Sequence, residues 1–469
     1  FAYIKWASNN PRMRNWVVLI LTLLLSFSTS ITSSKSSSIQ PILLTPDLDA
    51  LCLVLPTEPI NYSQLNISAY SGSLSLSMDN IPNSNFITDA GATLGRVLFY
   101  DKKLSINDKV SCSSCHIQRL GFTDDARFSR GFDGIEFTSA HSMRLGNARY
   151  YEPASYFWDR SAITLGDQVI VPIQNKIEMG FTSELGGMDS LISKLAEIEY
   201  YNTLFINAFG DQIINTVRIQ ESLAQFIRSL VATNTKFDLG LSMVFDSAQG
   251  DNGMSLDFPN YTQQENLGKE LFMKKEENGG AGCMRCHLPP SFGLDKNSKS
   301  TGLDASENIE FKSPSLINVA VTGPYMHDGR FNTLEEVILH YAQGIELSPS
   351  LDPILIQPNG EPERLRINSD KRDQLIAFLN TLTDIDLLTH ERWSSPFYEC
   401  ESECENLIGT FETIDSKQVL YQTKKVIKSH EILVNESKVI YKSLEIELKE
   451  GFKVDLGSTV TLEIEPCNN

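Results

Sequence analysis

Two copies of one five-residue string constrain this chain more than anything else in it: Cys112-Ser113-Ser114-Cys115-His116 and Cys283-Met284-Arg285-Cys286-His287. In each, two thiols stand about one helical turn apart and a histidine follows at once. That spacing lets both thiols add to the two vinyl groups of one haem, while the adjacent imidazole coordinates the iron from the proximal side. A lone Cys-x-x-Cys would be weak, because zinc and dithiol sites use it too. One zinc ion held by all four thiolates is the competing reading, and it leaves both histidines without a role. Two covalently bound haems give every one of these residues a task.

The other four cysteines, Cys52, Cys400, Cys404 and Cys467, suit disulfides in an oxidising compartment, with their pairing open. The N-terminal residues point to the same compartment. Met13-Arg14-Asn15 is a short positive start, Trp16 to Phe27 is apolar, and Ser28 to Ser38 is dominated by Ser and Thr. This length suits a cleaved secretory signal, hence a periplasmic or secreted protein, better than a spanning helix of about 20 residues. An uncleaved anchor is the alternative, and residues before Met13 read as upstream translation. The formal net charge of −19 repels nucleic acid and anionic lipid and attracts a small basic redox protein. An acidic surface also simply keeps a soluble protein dispersed.

With 469 residues, 41% of them apolar, the chain can bury two or three cores. Gly91 to Tyr100 reads as an amphipathic helix ending just before the first string, and Glu265 to Phe272 mirrors it before the second. Apolar residues recur at helical spacing from Ile213 to Ala232, and Asp370 to Leu382 reads as a closing helix capped by Asp370. A Gly-, Asp- and Asn-rich stretch, Asp246 to Asn260, separates the halves. After Phe397 the pattern changes to period-two alternation, as in Leu444-Glu445-Ile446-Glu447-Leu448, which predicts a small β module, closed by Cys400 or Cys404 to Cys467. The expected fold is mainly α: two cytochrome-c-like helical domains with long loops, then an all-β module. The expected segments are 1–38 (signal and Ser-rich tail), 81–245, 261–397 and 398–469.

From about Leu94 to Asp384 the chain resembles the bacterial diheme cytochrome c peroxidases and the related MauG-type diheme oxidases. The resemblance rests on Leu94-Gly95-Arg96-Val97-Leu98-Phe99-Tyr100-Asp101, the two haem strings, Phe157-Trp158-Asp159-Arg160, Pro172-Ile173-Gln174 running to Glu178-Met179-Gly180, Pro314-Ser315-Leu316 and Pro324-Tyr325-Met326-His327-Asp328-Gly329. It implies a peroxidatic N-terminal haem and an electron-transferring C-terminal haem, with His116 and His287 as iron ligands and Cys112, Cys115, Cys283 and Cys286 as attachment points. It also implies Glu178 as the acid–base group, Gln168 and Pro172 in the distal pocket, and Trp158 between the haems. Alone, Glu178 would read as a solvated carboxylate and Trp158 as core. The implied partners are hydrogen peroxide and a small electron donor such as a cytochrome c, and a homodimer is compatible.

Two departures matter. Where the peroxidases carry a Met ligand to the C-terminal iron, this chain has Tyr341, as MauG-type enzymes do. Thr333-x-x-Glu336 starts the helix, which puts Leu334, Ile338 and Tyr341 on one face and His340 about a quarter-turn away. A core tyrosine is the plain alternative, and Met326 or His340 are the other candidate ligands. An anionic tyrosine ligand would favour ferric iron. The second departure is His141, a loop or surface residue by default and otherwise a distal ligand. It lies near the place of an Asn that the family uses for an interdomain calcium, although Thr322 and Pro324 match calcium-binding carbonyl positions. His390 and His430 match nothing and read as surface residues. Three activities follow: a peroxidase, a MauG-like oxidase acting on a protein partner, and a plain electron carrier, which would leave Glu178 and Gln168 idle.

The haem reading predicts two haems that survive acid–acetone extraction from protein made in a host with haem-maturation machinery. Cys112→Ala with Cys115→Ala should remove one, and Cys283→Ala with Cys286→Ala the other. A mass equal to the bare polypeptide would sink it.

Overall fold

The computed structural model describes residues 51–56, 59–64, 78–151, 156–294, 298–312 and 314–401, and strand segments between 407 and 463. The expected signal at 13–38 lies outside the described residues. Among the described residues, no helix is long and apolar enough to cross a membrane.

The first half carries α1 (Asp89–Tyr100), α2 (Leu165–Gln174), α3 (Gly187–Ala196), α4 (Glu199–Phe209) and α5 (Thr216–Arg228). The second carries α6 (Lys236–Val244), α7 (Gln263–Met273), α8 (Leu334–Leu339), α9 (Ser369–Asn380) and α10 (Ile385–Thr389). Side-chain caps fix the helix starts. The Thr88 hydroxyl accepts from the Gly91 N–H, and Thr262 and Glu265 form a reciprocal capping box. The closing helix is capped by Asn368, not by Asp370: the Asn368 side chain accepts from Lys371 N–H, and Asp370 sits in the first turn. Both are good capping types, and the extended backbone at Asn368 decides between them.

Each half is built on one helix crossing, and the two crossings match. A Cβ added to Gly95 on α1 would lie 1.9 Å from Ser222 O on α5, and one added to Gly268 on α7 would lie 1.9 Å from Gln374 O on α9. Beside these contacts the rings of Phe99 and Phe226 sit 5.2 Å apart, and those of Phe272 and Phe378 5.1 Å apart. Each leading helix is followed by its Cys-x-x-Cys turn, Cys112–Ser114 and Cys283–Arg285. The first core gathers Leu94, Leu98, Phe99, Tyr201, Leu223 and Phe226, and the second Phe237, Phe258, Phe292, Leu375 and Phe378.

The halves exchange segments where the sequence suggested a clean division. Phe237 and Leu241, before the expected boundary, belong to the second core. Leu387, Trp393 and Phe397, at the end of the expected second half, pack in the first core. Hydrogen bonds tie down that packing: Trp393 Nε1 donates to Ser229 O (3.1 Å), Tyr100 OH to Trp393 O (2.6 Å) and Arg96 Nε to Ser394 O (2.6 Å).

Beyond the second half, strands form three parallel ladders: Phe397–Glu401, Gln418–Gln422, Lys438–Lys442 and Thr459–Glu463; Leu407–Thr410, Val426–Ser429 and Glu445–Leu448; and Thr413–Asp415, Ile432–Val434 and Lys453–Val454. The antiparallel strand Leu51–Leu53 covers the edge at Phe397–Glu401. Val419 stands beside Val439, and Val439 beside Val460, so each coil consumes 20 and then 21 residues. This is the geometry of a solenoid. Period-two alternation identifies strands, but a parallel neighbour requires a whole coil of chain, so the longer repeat carries the topology. Cys52 is held in a disulfide. The expected closure through Cys400, Cys404 and Cys467 falls on side chains outside the described residues.

The crossings predict that Gly95→Ala and Gly268→Ala each destabilise the holoprotein by at least about 1–3 kcal/mol, because a methyl group cannot share space with a backbone carbonyl. Chemical unfolding followed separately by haem absorbance and far-UV circular dichroism measures this. An unchanged midpoint in both variants would show that the crossings are not tight.

Candidate haem sites

In the first string, Ser111 N–H donates to Ser114 Oγ (3.0 Å), and the N–H groups of Cys115 and His116 both donate to Cys112 O (3.2 and 2.9 Å). The turn therefore holds both cysteines and the histidine in one compact unit. Neither Cys112 and Cys115 nor Cys283 and Cys286 are paired as disulfides. Burial pushes the thiols up, to about 12 for Cys112 and Cys283 and about 11 for Cys115. Among the described residues, no three His, Cys, Asp or Glu side chains gather as a metal site, which weighs against one zinc ion held by all four thiolates.

His116 Nδ1 lies 2.9 Å from Phe122 O and 3.2 Å from Ser142 Oγ. A proton donated from Nδ1 to that carbonyl leaves Nε2 as the lone-pair nitrogen for a metal. His287 differs. Its Nδ1 is buried and finds no hydrogen-bond partner among the described residues, and burial, with the nearby Arg144 charge, drops its pKa to about 4. Both imidazoles are thus neutral near pH 7, the form that coordinates iron.

A cavity of about 1480 Å³, mouth included, opens in the second half against Cys283, Cys286 and His287. Phe272, Leu316, Val319, Ile338, Leu375 and Leu379 supply its apolar wall, and Trp158, Met326, His327 and Tyr341 also face it. Tyr341 lies in a π-helical turn, His340–Gly344, that continues α8. Burial pushes its hydroxyl well above the ordinary tyrosine range, with the neighbouring Cys286 and Cys283 acting in the same direction. His340 is not on this wall; its Nε2 lies 3.0 Å from Thr301 O. That removes it from the three candidate ligands and leaves Tyr341 and Met326 facing the cavity.

A repeat inside each half sharpens the comparison. Tyr156-Phe157-Trp158-Asp159-Arg160-Ser161-Ala162 and Tyr325-Met326-His327-Asp328-Gly329-Arg330-Phe331 each close on a β-bridge between first and last residue. Phe157 and Met326 are both left-handed in these loops, with φ of 66° and 73°. Each loop leads to a threonine N-cap, Thr164 or Thr333. Counting on from those caps, Pro172 in the first half stands where Tyr341 stands in the second. Proline offers no ligand atom and tyrosine does. The same count pairs Trp158 with His327, whose rings meet at 6.5 Å. His327 in turn stacks on Phe311 at 3.7 Å. This internal correspondence was available in the sequence, but only the paired β-bridges make the register evident.

Glu178 lies in the turn after α2, where Asn175 Oδ1 accepts from the N–H groups of Ile177 (2.8 Å) and Glu178 (3.3 Å). Ile106 N–H and Phe132 N–H bind the flanking carbonyls of Met179 and Ile177, which fastens the turn beside the first string. Burial raises the Glu178 carboxyl, and its charge is felt by both Cys112 and Cys115. Gln168 and Pro172 are half-buried on the preceding helix. Trp158 Nε1 donates to His141 O (2.7 Å), and His141 N–H donates to His327 O (2.8 Å), so Trp158 sits in the seam between the halves.

His141 is neither a surface residue nor free to act as a distal ligand. It is 5% exposed, with Nε2 3.1 Å from Thr123 Oγ1 and Nδ1 3.1 Å from Ala126 O. Loop residues of this seam are buried because the second half covers them, which no local pattern reveals. His390 is exposed, as expected, and His430 lies outside the described residues. The Thr322 hydroxyl accepts from the Arg144 guanidinium (3.2 Å).

Cysteines outside disulfides, neutral imidazoles and an apolar cavity lined by one Cys-x-x-Cys-His string fit covalent haem. The family model described as di-haem cytochrome c peroxidase matches residues 89–243 and 262–363. The methylamine utilization protein MauG of Methylorubrum extorquens is 31% identical over 317 residues, 64% of this chain and 80% of that one. The cytochrome c551 peroxidase of Nitrosomonas europaea is 31% identical over 310 residues, 62% and 79% of the two chains. Among solved structures, a MauG-like protein associated with microbial copper homeostasis is similar with a TM-score of 0.53 and 25% identity, over 67% of this chain and 95% of that one. The chain belongs to the di-haem cytochrome c peroxidase family of oxidoreductases, which implies two c-type haems at the two strings.

Proposed function

We propose that this protein reduces hydrogen peroxide to water at the N-terminal haem, using electrons passed from a small redox protein through the C-terminal haem. The observation that carries this reading is Glu178, a half-buried carboxyl with a raised pKa fastened beside Cys112 and Cys115. A haem on those thiols supplies an iron site for peroxide and the electrons that break its O–O bond. The Glu178 carboxylate takes the proton from the near oxygen and returns it to the far one, so that water leaves. Gln168 orients peroxide by hydrogen bonding, and Pro172 keeps a side-chain ligand away from the iron. Trp158, packed between the halves, is the path for electrons. The balance is one peroxide, two electrons and two protons to two waters. In this reading, residues 81–245 and 261–397 are the peroxidatic and electron-transfer domains, 398–469 is an accessory module, and export through the 13–38 signal meets the need for haem attachment outside the cytoplasm.

Tyr341 favours a second reading, a MauG-like oxidase that modifies a protein partner at a distance. It stands on the cavity wall at the position equivalent to Pro172, and tyrosinate ligation would stabilise ferric iron.

Glu178→Gln should keep both haems and slow the peroxide reaction by roughly 10²–10⁴-fold. Because burial raises the Glu178 pKa, the wild-type rate should fall as pH drops through a value above the ordinary carboxylate range, and the variant should lack that acid limb. A variant that turns over at the wild-type rate would move the proton-transfer role elsewhere.

Tyr341→Met should raise the potential of one haem and leave the other nearly fixed, since thioether sulfur favours ferrous iron. On the oxidase reading, ferric wild-type protein reacts with peroxide without prior reduction; on the peroxidase reading, one reduced haem is needed first. Spectra and potentials unchanged in Tyr341→Phe would make the tyrosine packing only.

A further inference from the structure

Arg144 belongs to the first half by sequence, yet its guanidinium lines the cavity of the second, beside Cys283, Cys286 and His287. Its Nε donates to Ser315 O (2.5 Å), Nη1 to the Thr322 hydroxyl (3.2 Å) and Nη2 to Pro314 O (3.4 Å). All three acceptors are neutral oxygens of the second half. A guanidinium has five N–H donors, so two remain. The other cations on this wall are differently served: Arg285 meets Glu276 (3.2 Å), and Lys299 meets Glu310 (2.6 Å). Around Arg144 the titratable neighbours that bear on its charge are Tyr151 and Tyr325, both held neutral by burial. Lys312 lines the same wall, where burial lowers its pKa to about 7, and its backbone N–H donates to Trp158 O (2.7 Å).

A partly buried cation bonded only to neutral dipoles is poorly compensated unless an anion joins it. The group implied for this cavity brings two carboxylates of its own. We propose that Arg144 ion-pairs with a propionate of the haem attached at Cys283 and Cys286, and that this pair sets the haem's redox potential and couples its binding to closure of the two halves. The inference rests on the covalent-haem reading. Arg144 is a positioning residue here: it reaches the iron only through the propionate. A carboxylate neutralised by the guanidinium exerts less pull toward ferric iron. Without Arg144 the unpaired propionate favours the more highly charged ferric state, and the potential falls.

The test uses full-length holoprotein as wild type, Arg144→Lys and Arg144→Met, with haem content counted by mass before spectroelectrochemical titration. Arg144→Met should lower the ferrous-to-ferric ratio of one haem roughly tenfold at a fixed potential, about 59 mV for a one-electron couple, and leave the other fixed. Arg144→Lys should recover most of the shift, because the positive charge remains. Two haems with unchanged potentials in Arg144→Met would overturn the proposal alone, leaving Arg144 as a strut between the halves. A wild-type protein without haem at Cys283 and Cys286 would overturn the haem reading and the proposal with it. If Arg144→Met cannot hold its haem, resonance Raman spectra of Arg144→Lys decide. The propionate bending band of one haem should move from its wild-type position, and a band that stays in place overturns the proposal.

Discussion

The close approach of two helix pairs, α1 on α5 at Gly95 and α7 on α9 at Gly268, is the constraint on which the rest of both halves depends. In each pair a glycine meets a backbone carbonyl with no room for a side chain, and a phenylalanine one turn later locks onto its partner ring. The crossing fixes where the leading helix ends, and the Cys-x-x-Cys turn begins a short loop later. Two crossings of the same geometry therefore deliver two thiol pairs and two histidines. The halves differ in what surrounds those strings.

Burial then tunes every group that carries chemistry. It keeps Cys112, Cys115 and Cys283 as thiols, His116 and His287 as neutral imidazoles, and the Glu178 carboxyl readier to hold a proton than an exposed one. The same desolvation makes the seam between the halves demanding. His141, Trp158 and Arg144 all enter it from the first half, and each meets a backbone oxygen or N–H: Trp158 on His141 O, His141 on His327 O, Arg144 on Ser315 O. These three bonds satisfy polar groups that the contact between the halves covers. The segment through Trp393 reinforces the joint by returning from the second half to cap the first core.

Much of the helical frame was legible in the chain because amphipathic spacing and capping residues act locally. The helices before each string, the long α5 and the closing α9 all stand within a few residues of their expected limits. Register errors arose where two local signals competed, as at Asn368 and Asp370. The solenoid escaped notice for a different reason: alternation within a strand speaks only of its own faces, while a 20-residue repeat specifies which strand lies beside it. His141 lies in a loop, as the sequence implies, yet is buried, since a loop is buried only by what another part of the chain lays over it.

The sequence by itself determined the haem strings, the proline and tyrosine at corresponding helix positions, and the acidic group in the turn after α2, because each is a short-range pattern of residue types. Tertiary structure decided what those residues face. It placed Tyr341 and Met326 on one cavity wall and turned His340 away to Thr301, although the three are close in sequence or in chain spacing. It also carried Arg144 out of its own half and into the cavity of the other. Side-chain identity is written in the chain, but the dielectric around a side chain and the charges it meets come from segments far away in sequence, and only the folded packing brings those together.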